Sequence, residues 1–223
     1  MQSFRVALRN GAFALACPAA GSQNGRGMTA YIDFDGVLVN SEPAHLLSYQ
    51  RVLGELGVDL SREDFQTLYM GRSEGDIIAK MRARYGFSLD QGDFSRRRCE
   101  IVLSLLDQDY FRPNLPIMNF IGREFAEQHK AVLSSQAGWL IRRCLGSDGF
   151  PEFDEILSAP DLGMTKLEVA RSRLTAEDWV VDDDSKFLEA VRGLAQRLVY
   201  VRHDLNGPAP SGAQILDSRH AHG

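Results

Sequence analysis

Acidic residues are absent from the first 32 positions of this 223-residue chain, cysteines are few, and no long hydrophobic run occurs. The formal net charge is −5 at pH 7, so the chain lacks the basic surface that nucleic-acid binding requires, and no nucleic-acid partner is expected. No run reaches the ~20 apolar residues of a transmembrane helix, so no membrane partner is expected. Hydrophobic residues at 44% and charged residues at 25% indicate a soluble globular protein and exclude collagen-like or disordered chains.

The scarcity of cysteine excludes two further classes of protein. Cys17, Cys99 and Cys144 are too few and too scattered for a disulfide framework, and none belongs to a C-x-x-C pair of the kind found in structural zinc sites. We therefore predict free thiols and a cytoplasmic protein in a reducing compartment.

The acid-free segment 1–27 has neither helical nor strand periodicity, and we exclude it from the fold. Its arginines are compatible with a transit-like extension, or with a poor signal peptide whose apolar run is interrupted by Arg9 and Asn10. A third interpretation is an extension from a start codon placed too early, with Met28 as the true start. We favour the third, because a strand pattern begins directly after Met28.

Strand and helix patterns alternate along the rest of the chain. An apolar strand begins at Thr29, and further strands are predicted at residues 130–133, 155–158, 179–181 and 198–201, with amphipathic helices between them. This alternation predicts an α/β fold with a doubly wound, Rossmann-like parallel sheet. The segment 41–118 has helical patterns and no convincing strand, so we predict that it is an insert after the first strand. The core is then 28–40 and 119–223, with a loop from Asn206 onward.

Two of the predicted strands end in carboxylates. Asp33 and Asp35 follow the first strand, and a run of three acids, 182–184, follows the strand at 179–181. Ligands of open α/β sheets bind beyond the carboxyl ends of the strands, and clustered carboxylates repel one another unless a cation is present. Oxygen ligands favour Mg²⁺. The alternative is that these are loop acids and helix caps, with Asp184 or Ser185 capping the next helix.

The segment Asp33-Phe34-Asp35-Gly36-Val37-Leu38-Val39-Asn40-Ser41-Glu42 resembles the first motif of the haloacid dehalogenase superfamily in its phosphatase-type form. The other three motifs of that family have matches in the same order. Ser134 ends an apolar strand as in the second motif, Lys166 matches the lysine of the third, and Asp183-Asp184 matches the acidic pair of the fourth. The resemblance spans about residues 29–201 and implies that the insert 41–118 is an all-helical cap.

The resemblance also implies a role for each matched residue. Asp33 is expected to be the nucleophile that forms an aspartyl-phosphate, and Asp35 the general acid and base. Ser134 is expected to hydrogen-bond a phosphoryl oxygen, with the alternative that Ser134 or its neighbour Ser135 is a simple N-cap. Lys166 is expected to balance the negative charge of the phosphoryl group and the nucleophile, with the alternative of a solvated lysine in the first turn of a helix.

The resemblance further implies a Mg²⁺ site built from the first and fourth motifs. Asp33, the backbone carbonyl of Asp35, and Asp184 are the expected direct ligands, and Asp183 is expected to bind directly or through water. Glu189 lies where some relatives place a further acid, so the division of metal ligation between these acids stays open.

Four positions outside the motifs bear on the function. Leu167 stands where relatives commonly have proline. Glu74 aligns with the substrate-binding arginine of beta-phosphoglucomutase, which makes a mutase a weaker expectation. His45 matches a hinge histidine of some relatives, although a lone histidine on a helix is more often ordinary. The run 96–98 of three arginines is interpreted as a solvated face, although one arginine of a cap could contact a substrate anion.

We therefore predict a Mg²⁺-dependent phosphatase that hydrolyses a small phosphorylated metabolite, a sugar phosphate or similar monoester. A phosphomutase of the beta-phosphoglucomutase type is the first alternative. A catalytically inactive binding or regulatory protein is the second, and the complete set of Asp33, Asp35, Lys166 and Asp184 argues against it. The sequence predicts no oligomeric state.

Overall fold

The structure is a computed structural model that describes residues 27–69, 74–106, 108–203 and 206–218. The predicted extension, apart from Gly27, lies outside the described residues, and so does Cys17. The other two cysteines, Cys99 and Cys144, are free thiols. In the described ranges, no helix combines the length and apolar character needed to cross a membrane.

Six parallel strands form one sheet in the order β3-β2-β1-β4-β5-β6. Their bounds are β1 Thr29–Ile32, β2 His129–Ser134, β3 Glu155–Ser158, β4 Trp179–Asp182, β5 Arg197–Arg202 and β6 Gln214–Asp217. The predicted doubly wound parallel sheet is confirmed. The expectation of a loop throughout the tail is wrong for β6, which pairs with β5. This edge strand is short and has no fully buried residue, so it lacks the apolar pattern of a core strand.

Nine α-helices and one short 3-10 turn, Asp109–Phe111, connect the strands of the described chain. The helices are α1 Glu42–Glu55, α2 Arg62–Tyr69, α3 Glu74–Tyr85, α4 Gln91–Leu105, α5 Leu115–Glu124, α6 Gly138–Leu145, α7 Ala159–Leu162, α8 Lys166–Arg173 and α9 Ser185–Val191. Five of them, α1 to α5, lie between β1 and β2 in the chain, and the described residues there contain no strand, as the sequence predicts.

The sheet buries a different set of side chains on each face. Ile32 and Val181 belong to the cluster that packs against α5 and α6, whereas their neighbours Tyr31 and Val180 belong to the cluster that packs against α7, α8 and α9. This alternation follows from the two-residue period of a strand. It also determines which side of the sheet the residues after each strand face.

The helices α1 to α4 pack around an apolar cluster of their own, which includes Tyr49, Leu53, Phe65 and Phe94, while parts of α1 and α4 also pack with the sheet. We call these four helices the helical insert. The following helix, α5, starts inside the span 41–118 that was predicted as a cap, but its buried residues pack with the sheet. The cap boundaries themselves stay a prediction.

The chain reverses direction across the sheet between β1 and β4. From β1 it proceeds to β2 and β3 on one side, and it then returns to β4, β5 and β6 on the other. The gap beyond the carboxyl ends of β1 and β4 is therefore a topological switch point, where α/β proteins bind ligands. Asp33 follows β1 directly, and Asp182 is the last residue of β4.

Candidate active site

Asp33 continues the pairing of β1 with β4, since its backbone N–H donates to Val181 O at 2.9 Å. The strand period places its side chain on the same face as Tyr31, the face that α8 covers. Burial raises the pKa of the Asp33 carboxyl well above its usual range, and the charges of Asp182 and Asp183 add to this effect. The Lys166 ammonium group opposes the increase.

Lys166 is the first residue of α8, and a capping box between Thr165 and Glu168 begins that helix. Its Nζ lies 2.9 Å from Asp33 Oδ1 and 2.7 Å from Asp182 Oδ2. Burial lowers the pKa of Lys166, but the two carboxylates outweigh burial and raise the pKa above its usual value. The lysine is therefore a fixed positive charge between two buried aspartates.

Asp182 is a partner of Lys166 that the motif match did not assign. It is almost completely buried, and its side chain follows Val180 at two-residue spacing, so it faces α8 as Asp33 does. Burial raises the pKa of Asp182 to about 6, against the opposing effect of Lys166. The sequence offered one sign of this role, because Asp182 is the last residue of a buried strand and directly precedes the matched pair Asp183-Asp184.

The two acids predicted as the fourth motif have different surroundings. Asp183 is buried, and its Oδ2 lies 2.8 Å from His203 Nε2. Asp184 caps α9, because its Oδ1 accepts a hydrogen bond from Lys186 N at 2.9 Å. Both side chains border the same cavity.

Glu189 is exposed and pairs with Arg192 at 2.8 Å. It does not border the cavity that contains the predicted motif residues.

Three hydrogen bonds hold the Asp35 carboxylate. Ser41 Oγ donates to Oδ1 at 2.5 Å, His45 Nε2 lies 3.3 Å from Oδ1, and Gln136 Nε2 donates to Oδ2 at 3.2 Å. Burial raises the pKa of Asp35, but these partners together outweigh burial and bring the pKa below its usual value. Ser41 lies inside the first-motif match and Gln136 outside every motif, and neither was assigned a role from the sequence.

Ser134 is the last residue of β2 and is buried, whereas the next residue, Ser135, is exposed. Both border the cavity. The Ser134 hydroxyl accepts a hydrogen bond from Gln136 N at 3.0 Å, so its own O–H stays available as a donor toward the cavity.

The helical insert contacts the site through His45 and Arg98. Arg98 Nη1 lies 3.2 Å from His45 Nδ1, and Arg98 Nε donates to Glu74 Oε1 at 2.5 Å. A guanidinium group only donates, so Nδ1 of His45 accepts and its Nε2 carries the hydrogen that points to Asp35. The other two arginines of the run, Arg96 and Arg97, form ion pairs with solvent-accessible acids, as a solvated face predicts.

Glu42, the first residue of α1, is 4% exposed, and its Oε2 has no hydrogen-bond partner among the residues that the structure describes. Burial raises the pKa of Glu42 well above its usual value, and the neighbouring charges of Asp183, Asp35 and Asp33 add to this. Potential ligand atoms of Asp33, Asp182 and Asp183 lie within 4.8 Å of one another. Such a group of buried oxygen ligands, with an unpartnered carboxylate beside it, fits a divalent cation.

These residues enclose a cavity of about 520 Å³ between the sheet edge and the helical insert. The sheet side contributes Asp33, Asp35, Ser134 and Lys166, and the insert contributes Glu42, Tyr69 and Glu74. Every residue predicted from the sequence to have a catalytic, phosphate-binding or metal-binding role borders this cavity. The folded chain thus brings together residues separated by more than 100 positions.

The protein is of the α/β class, with acidic residues at the switch point of its parallel sheet and helices inserted between β1 and β2. Solved structures then show which fold it is. CbbY from Rhodobacter sphaeroides, in complex with phosphate, is 20% identical over 84% of this chain and 92% of that chain, with a TM-score of 0.63. The beta-phosphoglucomutase of Clostridium difficile is 16% identical over 79% and 85% of the two chains, with a TM-score of 0.60.

A third similar structure is YfnB of Bacillus subtilis bound to magnesium, which is 13% identical over 86% of this chain and 96% of that chain, with a TM-score of 0.61. The chain has the fold of the haloacid dehalogenase-like proteins, so the resemblance inferred from the motifs is confirmed for the fold. No protein-family model matches the chain. No curated protein matches it either.

Proposed function

We propose that this protein is a divalent-cation-dependent phosphatase that hydrolyses a small phosphate monoester through an aspartyl-phosphate on Asp33. The observation that carries the proposal is the placement of Asp33, Asp35 and Lys166 around one cavity, with Lys166 Nζ 2.9 Å from Asp33 Oδ1. The fold is shared with a beta-phosphoglucomutase and with a protein that binds phosphate, which supports phosphoryl chemistry at this site.

The reaction consists of two displacements at phosphorus. Asp33 Oδ attacks the phosphorus and the bond to the ester oxygen breaks. Asp35, which is protonated in the reactive form of the enzyme despite its lowered pKa, donates its proton to the departing alkoxide. A water molecule then attacks the phosphorus of the aspartyl-phosphate, Asp35 accepts the proton from that water, and the bond to Asp33 breaks. The products are the free alcohol and inorganic phosphate.

The chain's own groups position the phosphoryl group for these steps. Lys166 offsets the negative charge that accumulates on the phosphoryl oxygens, and the Ser134 hydroxyl donates a hydrogen bond to one of them. We propose that Asp33, Asp183 and the backbone carbonyl of Asp35 hold Mg²⁺. When bound, Mg²⁺ supplies further charge neutralisation of the phosphoryl group.

Asp184 stays a predicted ligand. We propose Asp183 for the direct role, because its carboxylate lies in one group with those of Asp33 and Asp182, and the candidate cation groups among the described residues do not include Asp184. We therefore propose Asp182 and Asp183 as the two acids of the fourth motif, one residue earlier than the match with Asp183-Asp184 implies.

We propose that the helical insert acts as the cap of this phosphatase, over the predicted span 41–118. It borders the cavity through Tyr69 and Glu74, and it contacts Asp35 through His45. A cap that closes over the cavity excludes water and selects the substrate. The proposed substrate is a small phosphorylated metabolite, since the cavity volume of about 520 Å³ suits a small molecule.

Release of inorganic phosphate from a panel of phosphate esters tests the function, with and without Mg²⁺. We expect Mg²⁺-dependent turnover by the wild type and a loss of at least about 10³-fold for Asp33→Asn, because the amide is a poor nucleophile. Lys80→Gln, an exposed substitution on α3, is the matched control. Equal rates for Asp33→Asn and wild type would exclude the aspartyl-phosphate mechanism.

A phosphomutase is the second candidate function, favoured by the structural similarity to beta-phosphoglucomutase. It uses the same first displacement, but the aspartyl-phosphate is then attacked by a substrate hydroxyl instead of water. The two functions are separated by products, since a mutase interconverts isomeric sugar phosphates and releases little free phosphate.

A further inference from the structure

His203 lies directly after β5, which neighbours β4 in the sheet, and it contacts the proposed cation ligand Asp183. Its Nε2 is 2.8 Å from Asp183 Oδ2, and the two side chains are only about a tenth exposed. A carboxylate oxygen only accepts, so the ring Nε2 carries the hydrogen of this bond. The hydrogen bond fixes one oxygen of Asp183 and leaves Oδ1 for a cation.

The Asn206 side chain hydrogen-bonds to the backbone of Val201, His203 and Asp183. Its Nδ2 donates to Val201 O at 2.7 Å and to Asp183 O at 3.2 Å, and its Oδ1 accepts the His203 N–H at 3.1 Å. The end of β5 is thereby tied to the end of β4. The position of the His203 ring relative to the Asp183 carboxylate is therefore determined by backbone contacts as well as by their own hydrogen bond.

Gly36 packs against the hydrogen bond between Asp183 and His203. It has a φ of +73°, and a Cβ at this position would lie 2.8 Å from Asp183 Cγ and 3.2 Å from His203 Nε2. The glycine backbone thus lies close to both partners of the hydrogen bond. A larger residue at this position would displace the carboxylate, the imidazole or both.

We infer that His203 is a positioning residue that orients Asp183 for cation binding. The inference rests on the cation site of the proposed function, and it concerns a residue outside the four motifs. The imidazole acts through Asp183, because Mg²⁺ prefers oxygen ligands and the ring nitrogen facing the site carries a hydrogen. Partners that orient a metal ligand typically account for 10–100-fold in metal affinity.

Binding of Mn²⁺, a paramagnetic substitute for Mg²⁺, tests this inference directly by titration of the free-ion electron paramagnetic resonance signal. His203→Asn and His203→Gln form a matched pair. The glutamine amide nitrogen reaches the position of Nε2, whereas the shorter asparagine places its nitrogen near Nδ1 and cannot donate to Asp183. We expect His203→Asn to weaken Mn²⁺ binding 10–100-fold and His203→Gln to stay within about threefold of wild type.

Two further variants make the result interpretable. His203→Leu repeats the loss of the donor with an apolar side chain, so the conclusion does not depend on whether His203→Asn folds well. His129→Gln, at the amino end of β2 and therefore at the other end of the sheet, should leave Mn²⁺ affinity unchanged. Circular dichroism of each variant establishes that it is folded before titration.

The outcomes separate this inference from the proposed function. A wild-type protein that binds no Mn²⁺ would overturn the proposed cation site and the inference with it. Wild-type affinity in folded His203→Asn and His203→Leu would overturn the positioning role alone. Two bound Mn²⁺ ions in the wild type, with one lost in both variants, would make His203 a direct ligand and likewise overturn the inference.

Discussion

Lys166 Nζ lies 2.7 Å from Asp182 Oδ2, a buried ion pair between the first residue of α8 and the last residue of β4. The same ammonium group lies 2.9 Å from Asp33, the proposed nucleophile. One lysine therefore balances two buried carboxylates, and its loss would leave both without a cation. This relationship connects the stability of the fold to the chemistry of the site.

Lys166→Met removes the positive charge and keeps an unbranched side chain. We expect it to lower the free energy of unfolding by about 3–5 kcal/mol, the usual cost of removing one partner from a buried ion pair. Urea unfolding at pH 8 measures this, above the pKa of about 6 of Asp182. The double variant Lys166→Met/Asp182→Asn should recover part of the stability but not the phosphatase activity. Wild-type stability of the single variant would contradict this account of the pair.

Asp183→Asn and Asp184→Asn compare two adjacent acids with different surroundings. Asparagine still caps a helix, so Asp184→Asn should change stability by less than about 1 kcal/mol and Mg²⁺ affinity by less than about threefold. Asp183→Asn removes a proposed ligand, and we expect Mg²⁺ affinity to fall by more than about 100-fold, as measured by calorimetry. The reverse order of effects would place the metal on Asp184.

His45→Leu removes a hydrogen bond that lowers the pKa of Asp35. The pKa of Asp35 should therefore rise, and the protonated acid should persist to higher pH. Hydrolysis of alkyl phosphates needs that acid for the leaving group, so the high-pH decline of kcat/KM should move to higher pH in the variant. Aryl phosphates with a good leaving group are the internal control and should show a smaller displacement. An unchanged pH profile with alkyl esters would show that His45 does not control the pKa of Asp35.

Mg²⁺ should stabilise the protein more at pH 8 than at pH 5. In the absence of the cation, burial raises the pKa of Asp182 from 3.8 to about 6, so the folded state binds more protons than the unfolded state in this interval. Stability without metal should consequently fall as pH rises from about 4 to above 6. With Mg²⁺ at 100-fold above its Kd, differential scanning fluorimetry at pH 8 should show an increase in Tm of about 5–10 °C. A larger increase at pH 5 would contradict the proposed role of the carboxylates.

The sequence alone predicted the parallel sheet and the acids at its edge from local patterns, whereas Ser134 and Lys166 were expected only from the motif resemblance. Buried strands appear as short apolar runs, and the acids directly after them stand out against those runs. Strand β6 was missed, since an exposed edge strand needs no apolar pattern. Its pairing with β5 is a tertiary interaction that stabilises a segment with no strong preference of its own.

The partners of the predicted site residues came only from the tertiary structure. His45 and Arg98 are separated by 53 positions, and His203 contacts Asp183 from a loop that carries no motif. The contact between Lys166 and Asp182 depends on which face of the sheet α8 covers. No spacing along the chain encodes that choice.

The sequence by itself determined that carboxylates collect at one edge of a parallel sheet, since strand ends and acids are both visible in the order of residues. Only the tertiary structure decided what each acid of the run 182–184 contacts. Side chains alternate between the two faces of a strand, so Asp182 faces α8 and its lysine, while Asp183 lies beside Gly36 and His203. Asp184 is left to cap α9. A difference of one residue in register therefore separates an ion-pair partner, a proposed metal ligand and a helix cap.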